Sequence, residues 1–419
     1  MRGRWGWLLV TIAAGCHTSP PPAVAPRAAL PSVAPAAVEL PATKPAVPVL
    51  DGRGLPKLTA RPSAGPEGTA FLRLTESDCL LLAAAHSGPA NALDEENRVP
   101  PSPRDCSAAR DELRRAVRYH AALELRNRAA AEALDRYFQL ADAEARADFV
   151  RKAFPYLDDL HDRAKRAKAA GVRFPLDPAD LDRQRSERLS QLGEAELGSR
   201  LLDLDLKRRL GRPHDPAGAR LWPEGDFAID PTAADPEEAA NAALADRPEL
   251  RGLRALYHGL TAETLPDARD YLAAATSLLG TRRPPLPVRR LGRMLDRDPG
   301  PDPAALAELE VRRKQLYDLI AMREREAADE ARAAALALNA QTTRAALARD
   351  RLRGWEEQLA EAVKKREANQ PGAELQEIQA RLDVLKARAE LAAEVAAWHR
   401  ARVKLKAAQG WLAWEAVSK

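Results

Sequence analysis

The second half of the chain carries apolar residues at seven-residue intervals, and this spacing predicts long coiled-coil helices. Two interleaved sets of positions together form an a/d seam. The first set is Tyr317, Ala331, Leu338, Ala345, Leu352 and Leu359, and the second is Ile320, Ala327, Ala334, Ala348, Trp355 and Ala362. Glu324 and Gln341 interrupt this seam, so we expect polar groups either to enter the helix interface there or to face a lumen. A similar seam follows between residues 375 and 403.

The helical pattern occurs twice, and each copy has the form of a hairpin. The first copy spans residues 104–211 with a break at Gly171, and the second spans residues 303–410 with a break at Gly372. An outward helix of about 60 residues would be roughly 90 Å long. We therefore predict an all-α fold of two tandem long antiparallel coiled-coil helical hairpins, with little or no β-structure. Because proline removes a backbone donor, a kink or break is expected at Pro155 in the first outward helix.

The segments around the hairpins complete the expected domain organisation. Each hairpin is preceded by a short amphipathic segment, at residues 71–85 and at residues 236–250. The expected parts are a signal peptide with a lipobox (1–16), a Pro/Ala-rich disordered tether (17–69), a first repeat (70–211), a linker (212–235), a second repeat (236–412) with a Pro-rich loop (280–303), and a C-terminal tail (413–419).

The start of the chain has the features of an export signal. Arg2 and Arg4 precede an apolar run that is too short to span a bilayer as a helix. The run ends in Ala-Ala-Gly followed by Cys16, which resembles a lipobox. We expect a lipid on Cys16 to hold the mature chain on a membrane surface. The alternative is an ordinary cleaved signal with an incidental cysteine.

The other two cysteines, Cys79 and Cys106, lie at the start of the first repeat. In an exported chain they could form a disulfide that joins the short N-terminal segment to the first long helix. The alternative is two unpaired cysteines, and the sequence leaves both interpretations open.

Composition and motifs give no indication of an enzyme or a cofactor. Aromatic residues make up 5% and charged residues 30% of the chain, which is typical of long helices. A net charge of +4 does not imply nucleic-acid binding. No phosphate loop or nucleophile motif is present in the sequence. His120 with Glu124, and the group Asp158, Asp159, His161 and Asp162, are interpreted as solvated charges and not as metal ligands.

The turns at the two hairpin tips are the candidate partner-docking residues. They combine helix stop and restart signals, so turn chemistry alone is the competing explanation. Asp177 or Asp180 is expected to cap the first return helix. The candidate docking residues are Gly171, Val172, Arg173 and Phe174 in the first tip and Asn369, Gln370 and Gly372 in the second.

Three short motifs of the sequence resemble motifs of the TolC family of outer-membrane efflux proteins. Each repeat of that family opens with a short helix of a recognisable pattern, and its first outward helix carries an aromatic pair followed by leucine. The matching residues are Leu74-Thr75-Glu76, Ala245-Asp246-Arg247-Pro248-Glu249-Leu250 and Tyr137-Phe138-Gln139-Leu140. The resemblance covers roughly residues 70–412. It implies a homotrimer whose tips meet a periplasmic adaptor of an inner-membrane pump.

The chain departs from this family where its membrane strands should lie. The gap between residues 89 and 104 is too short for two outer-membrane strands, and residues 257–302 have no alternating apolar face.

On the family resemblance, the sequence predicts a TolC-like component of an efflux or export system, located in the cell envelope at the outer membrane and facing the periplasm. The alternative is a lipid-anchored coiled-coil envelope protein that forms no channel.

Overall fold

The structure is a computed structural model, and it describes residues 71–100, 108–172, 174–212, 219–225, 227–275 and 303–418. The signal peptide, Cys16, the tether, Cys106, Arg173 and nearly all of the Pro-rich loop lie outside the described residues. The predictions made for them therefore stay predictions.

The described residues form ten helices and two short strands. In chain order they are β1 (Phe71–Thr75), α1 (Glu76–Ala85), α2 (Gly88–Arg98), α3 (Ala108–Ala169), α4 (Pro178–Arg209), β2 (Arg220–Glu224), α5 (Pro236–Asp246), α6 (Pro248–His258), α7 (Leu265–Ala275), α8 (Pro303–Glu367), α9 (Ala373–Gln409) and α10 (Trp411–Ser418). The strands β1 and β2 pair in parallel, with Phe71 opposite Arg220 and Thr75 opposite Glu224.

The predicted all-α class and the two helical hairpins are confirmed. Helices α3 and α4 form the first hairpin, and helices α8 and α9 form the second. Both return helices end where the sequence indicated, because Gly211 and Gly410 adopt left-handed φ angles of 70° and 77°. Glycine reaches this region without the steric cost that a side chain would add.

Three local predictions need correction. The segment predicted as one amphipathic unit at residues 71–85 begins with strand β1 before α1 starts at Glu76. The second such segment is divided at Arg247, because the residue before a proline is disfavoured in the helical region. Of the kink or break predicted at Pro155, the break does not occur, because helix α3 is continuous through this residue; a kink there stays a prediction.

The chain divides into two compact units, and each is described by itself. Among the described residues, unit 1 comprises those within 88–125 and 241–329. Unit 2 comprises those within 71–87, 126–240 and 330–418. These units are divisions in space and do not follow the two sequence repeats.

Unit 1 is held together by leucines and by partly buried ion pairs. Its core cluster consists of Leu113, Leu256, Leu260, Leu265, Ala268, Leu272 and Leu316. On its rim, Asp267 on α7 accepts hydrogen bonds from Arg110 and Arg114 on α3 at 2.9 and 2.8 Å. Glu324, which interrupts the predicted seam, accepts a 2.6 Å hydrogen bond from Arg254. The polar interruption is thus neutralised inside the unit.

In unit 2 the long helices contact one another in the order α4, α3, α9, α8. Among the described residues, four arginine–carboxylate ion pairs join α4 to α3: Arg209–Glu132, Arg136–Asp205, Arg151–Glu196 and Arg185–Asp158. Helix α3 contacts α9 through a hydrogen bond of 2.9 Å from Asn127 to the Ala407 carbonyl and through the pair Arg400–Asp135. Along this order, α4 and α8 are the outer helices.

The seam between α8 and α9 is the one that the heptad pattern predicted. Ala331 and Ala345 are fully buried, and small residues let the two helix axes approach closely. Trp398 on α9 donates a 2.9 Å hydrogen bond to the Thr342 hydroxyl, so the buried indole N–H is satisfied. Gln341 enters the same interface, and its amide donates to Glu394.

Strand β2 is fixed to α3 and α4 by buried polar side chains. Asp203 accepts a 2.7 Å hydrogen bond from the backbone N–H of Leu221 and forms an ion pair with Lys207 at 2.9 Å. Arg220 binds Glu144 and the hydroxyl of Ser199. Since a buried charge is costly without a partner, these pairs position the strand within the segment that the sequence presented as a linker.

An aromatic cluster lies beside the sheet. The Tyr137 hydroxyl donates a 2.9 Å hydrogen bond to the Glu224 carbonyl, and the ring of Phe138 stacks on His399 with centroids 4.8 Å apart. Burial, together with the charge of Arg402, lowers the pKa of His399 to about 3, although a backbone contact with Phe227 acts in the opposite direction. His399 is therefore neutral at ordinary pH.

Replacing Pro155 by alanine should stabilise the protein. Pro155 is exposed in a continuous helix, and alanine restores the missing N–H donor and removes the clash with the preceding turn. The expected gain in the free energy of unfolding is about 2 kcal/mol, after allowing for the more flexible unfolded chain. Chemical unfolding followed by circular dichroism measures it. The matched control, Pro371→Ala in the second tip turn, should give no gain, and equal effects of the two substitutions would contradict the interpretation.

The buried His399 should make stability depend on pH. Its pKa is lower in the folded chain than the ordinary value of 6.5, so between about pH 3 and 6.5 the unfolded chain binds more protons. The free energy of unfolding should then fall by up to about 1.4 kcal/mol for each pH unit as the pH drops through this window. Denaturant unfolding at several pH values should show a shallower dependence for His399→Phe. The control His258→Gln, at an exposed histidine, should leave the dependence unchanged; identical profiles for all three proteins would refute this assignment.

Candidate docking site at the hairpin tips

Both outward helices end in the same turn geometry. At the end of α3, Val172 donates its N–H to the Ala167 carbonyl at 2.8 Å, and Gly171 donates to Lys168 at 3.2 Å. At the end of α8, Gln370 donates to Lys365 at 3.1 Å and Asn369 to Arg366 at 2.8 Å. These paired bonds form the Schellman motif, which satisfies the last carbonyls of a helix.

The residue at the turn must adopt a left-handed conformation, and this explains two of the candidate residues. Gly171 has a φ of 65° and Asn369 a φ of 52°. Glycine and asparagine are the residue types that most readily accept such angles. For these two positions turn chemistry is a sufficient explanation, as the competing hypothesis held.

The return helices begin with different caps. Asp177 caps α4, because its carboxylate accepts a hydrogen bond of 3.1 Å from the N–H of Ala179, and Pro178 occupies the first helical position. Of the two aspartates proposed as caps, the structure selects Asp177. Helix α9 starts from Gly372, whose φ of 77° again requires glycine.

An apolar cluster brings the two tips together. Its buried members are Leu160, Ala164, Leu181 and Ile378, and its partly buried members include Phe174, Leu176 and Leu375. Helices α3, α4 and α9 all contribute to it, so the two turns lie side by side at one end of the helical layer. This proximity was not visible in the sequence, where the tips are about 200 residues apart.

A cleft of about 320 Å³ lies between the two tips. Phe174 from the first tip and Asn369, Gln370 and Gly372 from the second line it, together with Leu375. The remaining lining residues are Arg163, Arg366, Ala373 and Glu374. Apolar side chains (Phe174, Leu375) and polar side chains (Arg163, Arg366, Glu374) thus line the same cleft, a combination that suits the insertion of a side chain from another protein.

Ion pairs surround the cleft, and one of them connects the two hairpins. Arg163 on α3 binds Asp159 on its own helix at 2.9 Å and reaches Glu374 on α9. Glu377 is buried and is shared by Arg366 and Arg381 at 2.8 and 2.6 Å. Hydrogen bonding to Glu377 raises the pKa of Arg381. Sequence analysis did not single out the pairs between helices, Arg163–Glu374 and Arg366–Glu377, since i,i+4 spacing reveals partners on one helix only.

The other candidate residues have varied positions. Val172 is exposed at the first tip, with 61% of its surface accessible.

Cys79, one of the two cysteines of the predicted disulfide, is buried in α1. Burial, followed by the charges of Glu76 and Asp78, raises the pKa of its thiol. Because Cys106 lies outside the described residues, the proposed disulfide stays a prediction.

The histidine and aspartate groups considered as metal ligands have other partners. His161 contacts Asp182 at 2.9 Å, while Asp158 pairs with Arg185. Burial and the charge of Arg251 lower the pKa of His120. Within the described ranges, no group of three or more His, Cys, Asp or Glu side chains is arranged to hold a metal ion. In the same ranges, no helix combines the length and the apolar character that crossing a bilayer requires.

The fold has counterparts among solved structures. No protein-family model and no curated protein matches the sequence. A structure of CusC, studied for folding and transmembrane channel formation, is 12% identical and aligns over 89% of this chain and 99% of its own, with a TM-score of 0.55. A membrane protein from Pseudomonas aeruginosa is 15% identical over 88% and 96%, with a TM-score of 0.52. The outer membrane protein VceC from Vibrio cholerae is 13% identical over 80% and 93%, with a TM-score of 0.50. At these identities the similarity shows a shared fold, and the resemblance drawn from the motifs is confirmed at that level.

Substituting alanine for two glycines of the first hairpin should have opposite effects. Gly171→Ala places a side chain at a left-handed φ and should lower the free energy of unfolding by about 1–2 kcal/mol. Gly193→Ala, inside α4, meets open space and should raise it by about 1 kcal/mol through helix propensity. Denaturant unfolding of both variants provides the comparison. Changes of the same sign would show that the turn geometry does not constrain the tip.

Proposed function

We propose that this chain, which has the fold of outer-membrane channel proteins, is a TolC-like outer-membrane or periplasmic component of an efflux or export system. It would act as a passive conduit or bridge, and an inner-membrane pump would supply the energy. The observation that carries this proposal is the exposed leucine face of α4, an outer helix of unit 2.

Helix α4 is 32 residues long, yet its buried residues are few and include Ser199, Asp203 and Lys207. On another face, Leu197, Leu201 and Leu204 are 58–60% exposed. These three residues, which we call the α4 stripe, follow one another at intervals of four and three and so lie on one side of the helix. A leucine row of this kind is unusual on the surface of a monomer and is typical of a protein interface.

The other outer helix has a stripe of its own. Leu336 and Leu347 on α8 are 59% and 54% exposed. They lie on one helix face with the exposed Ala340 between them. We call these three residues the α8 stripe. The layer therefore has an apolar face on each of its outer helices.

Two different apolar stripes favour head-to-tail association. If the α4 stripe of one copy packs on the α8 stripe of the next, each copy leaves one stripe free until the ring closes. The family resemblance implies three copies. In the alternative, a closed four-helix bundle within one chain, α4 and α8 would cover each other. Their exposure argues against that arrangement and against the spacer that forms no channel.

The remaining parts of the proposal follow from the ring. Its tips would dock on a periplasmic adaptor of the pump, and a lipid on Cys16 would attach the chain to the outer membrane from the periplasmic side. We assign no catalytic activity, no cofactor and no nucleic-acid partner to the chain, because its expected role is to enclose a passage.

Disrupting either stripe should prevent ring formation. The first variant carries Leu197→Glu and Leu204→Glu, and the second carries Leu336→Glu and Leu347→Glu. Burial of two leucines contributes about 3–6 kcal/mol to each interface, so each variant alone should be monomeric in mild detergent by light scattering. The unmodified protein should be a trimer. The control Val172→Glu, at an exposed apolar residue on neither stripe, should remain a trimer.

Mixing the two variants separates head-to-tail packing from symmetric packing. The first variant keeps only the α8 stripe and the second keeps only the α4 stripe. One copy of each can therefore pair through these two stripes, and the mixture should form heterodimers and nothing larger. If one variant dimerises alone, like stripes pair with each other and the ring model is wrong. A monomeric unmodified protein would favour the lipid-anchored spacer instead.

A further inference from the structure

The acidic side chains near the tip turns are engaged within the protein. Glu374 binds Arg163, and Glu377 is shared by Arg366 and Arg381. On α4, Asp177 caps the helix and Asp182 contacts His161. On α8, Glu361 pairs with Lys365 at 2.7 Å. Apart from Asp182, whose only ion-pair contact in the described chain is with the imidazole of His161, which is charged only when protonated, these carboxylates are therefore already neutralised or hydrogen-bonded without a partner protein.

Three lysines near the ends of the outward helices, in contrast, have no ion-pair partner among the described residues. Lys165 and Lys168 near the end of α3 and Lys364 near the end of α8 are exposed. None of them forms an ion pair within 4 Å in the part of the chain that the structure describes, although the charge of Lys364 acts on the Glu361 carboxylate and helps to lower its pKa, after the larger effect of Lys365. Glu367 and Asp162 are nearby exposed acids that offset part of this charge. The free charge at this end of unit 2 is thus predominantly positive.

Helix dipoles account for basic residues in these turns but not for their lack of partners. A cation near a helix C-terminus is favourable. However, the Schellman bonds of both turns already satisfy the terminal carbonyls, so the ammonium groups are not needed as caps. They remain available to a partner, and along the chain they lie within about two helical turns of the exposed Val172 and of Asn369 and Gln370, which line the cleft.

We infer that the tips bind an acidic protein segment, with an apolar side chain of that segment entering the cleft and its carboxylates pairing with Lys165, Lys168 and Lys364. This inference rests on the proposed function, because it specifies the chemistry of the adaptor surface that the tips would meet. The cleft favours a protein over a lipid surface, since headgroup binding requires positive charge alone, whereas a cleft between two turns suits a single side chain.

The test uses the full chain in mild detergent and four probes. The first is a fluorescent helical peptide with one leucine flanked by glutamates. The second replaces the glutamates with glutamine, and the third replaces the leucine with serine. The fourth is a vesicle of phosphatidylglycerol. Binding is followed by fluorescence anisotropy for the peptides and by flotation for the vesicles.

Charge variants identify the binding surface. The tip variant carries Lys165→Glu, Lys168→Glu and Lys364→Glu, and a milder version carries glutamine at the same positions. The matched control carries Lys314→Glu, Lys386→Glu and Lys404→Glu, which changes the same charge at exposed lysines away from the turns. Circular dichroism and light scattering verify that each variant folds and assembles like the unmodified protein.

The acidic leucine peptide should bind the unmodified protein and the control variant equally. Loss of three surface ion pairs should weaken its binding about tenfold or more in the tip variant, with a smaller loss in the glutamine version. The glutamine and serine peptides should also bind about tenfold more weakly or worse. Binding that does not depend on the glutamates or on the three lysines would overturn the inference. So would binding of the vesicles alone, which would indicate a membrane surface.

Assembly separates this inference from the proposed function. If the unmodified protein is a trimer and no peptide binds, the acidic-partner inference fails while the conduit proposal stands. If the unmodified protein is a monomer, the conduit proposal fails whatever the peptides do.

Discussion

An amphipathic helix is stable in water where a neighbour covers its apolar face. In unit 2, the helices whose apolar faces are covered form the core, and those left partly uncovered form the surface proposed for assembly. The inner helices α3 and α9 each have a long helix on two sides, and they supply Leu160, Tyr137, Phe138 and Trp398 to the buried core. Helix α4 is covered by α3 along one side, where four arginine–carboxylate pairs align the two helices. The leucines on its other side have no cover within the described chain. The same layer thus explains both the core and the surface proposed for assembly.

At the tips, local and long-range interactions have different consequences. The turns themselves are set by local backbone chemistry, because Gly171 and Asn369 supply the left-handed residue that a Schellman motif needs. The side-by-side position of the two turns depends instead on the cluster around Leu160 and Ile378 and on the pair Arg163–Glu374. A docking surface made of both hairpins exists because of these long-range contacts. Turn residues alone would form two separate loops.

Periodicity predicted the hairpins well because a helix of more than 30 residues repeats its apolar spacing many times. Ala331, Ala345 and Val403 are buried as the seam required. Short elements have no such repetition. Five residues of β1 resemble the start of an amphipathic helix, and their strand conformation depends on pairing with β2 some 150 residues later. Pro155 shows the converse, since the packing of a long helix overrides the local preference of one residue.

The sequence by itself determined the class of fold, the lengths of the four long helices and the positions of their ends, because heptad spacing, proline and glycine act within a few residues. The tertiary structure decided which helices lie inside the layer and which lie outside. It also decided which charges are neutralised and which remain free. Those properties depend on distances between residues far apart in the chain, and nothing in a local pattern fixes them. That arrangement is why the leucines of α4 are exposed and why the lysines of the tips have no ion-pair partner in the described chain.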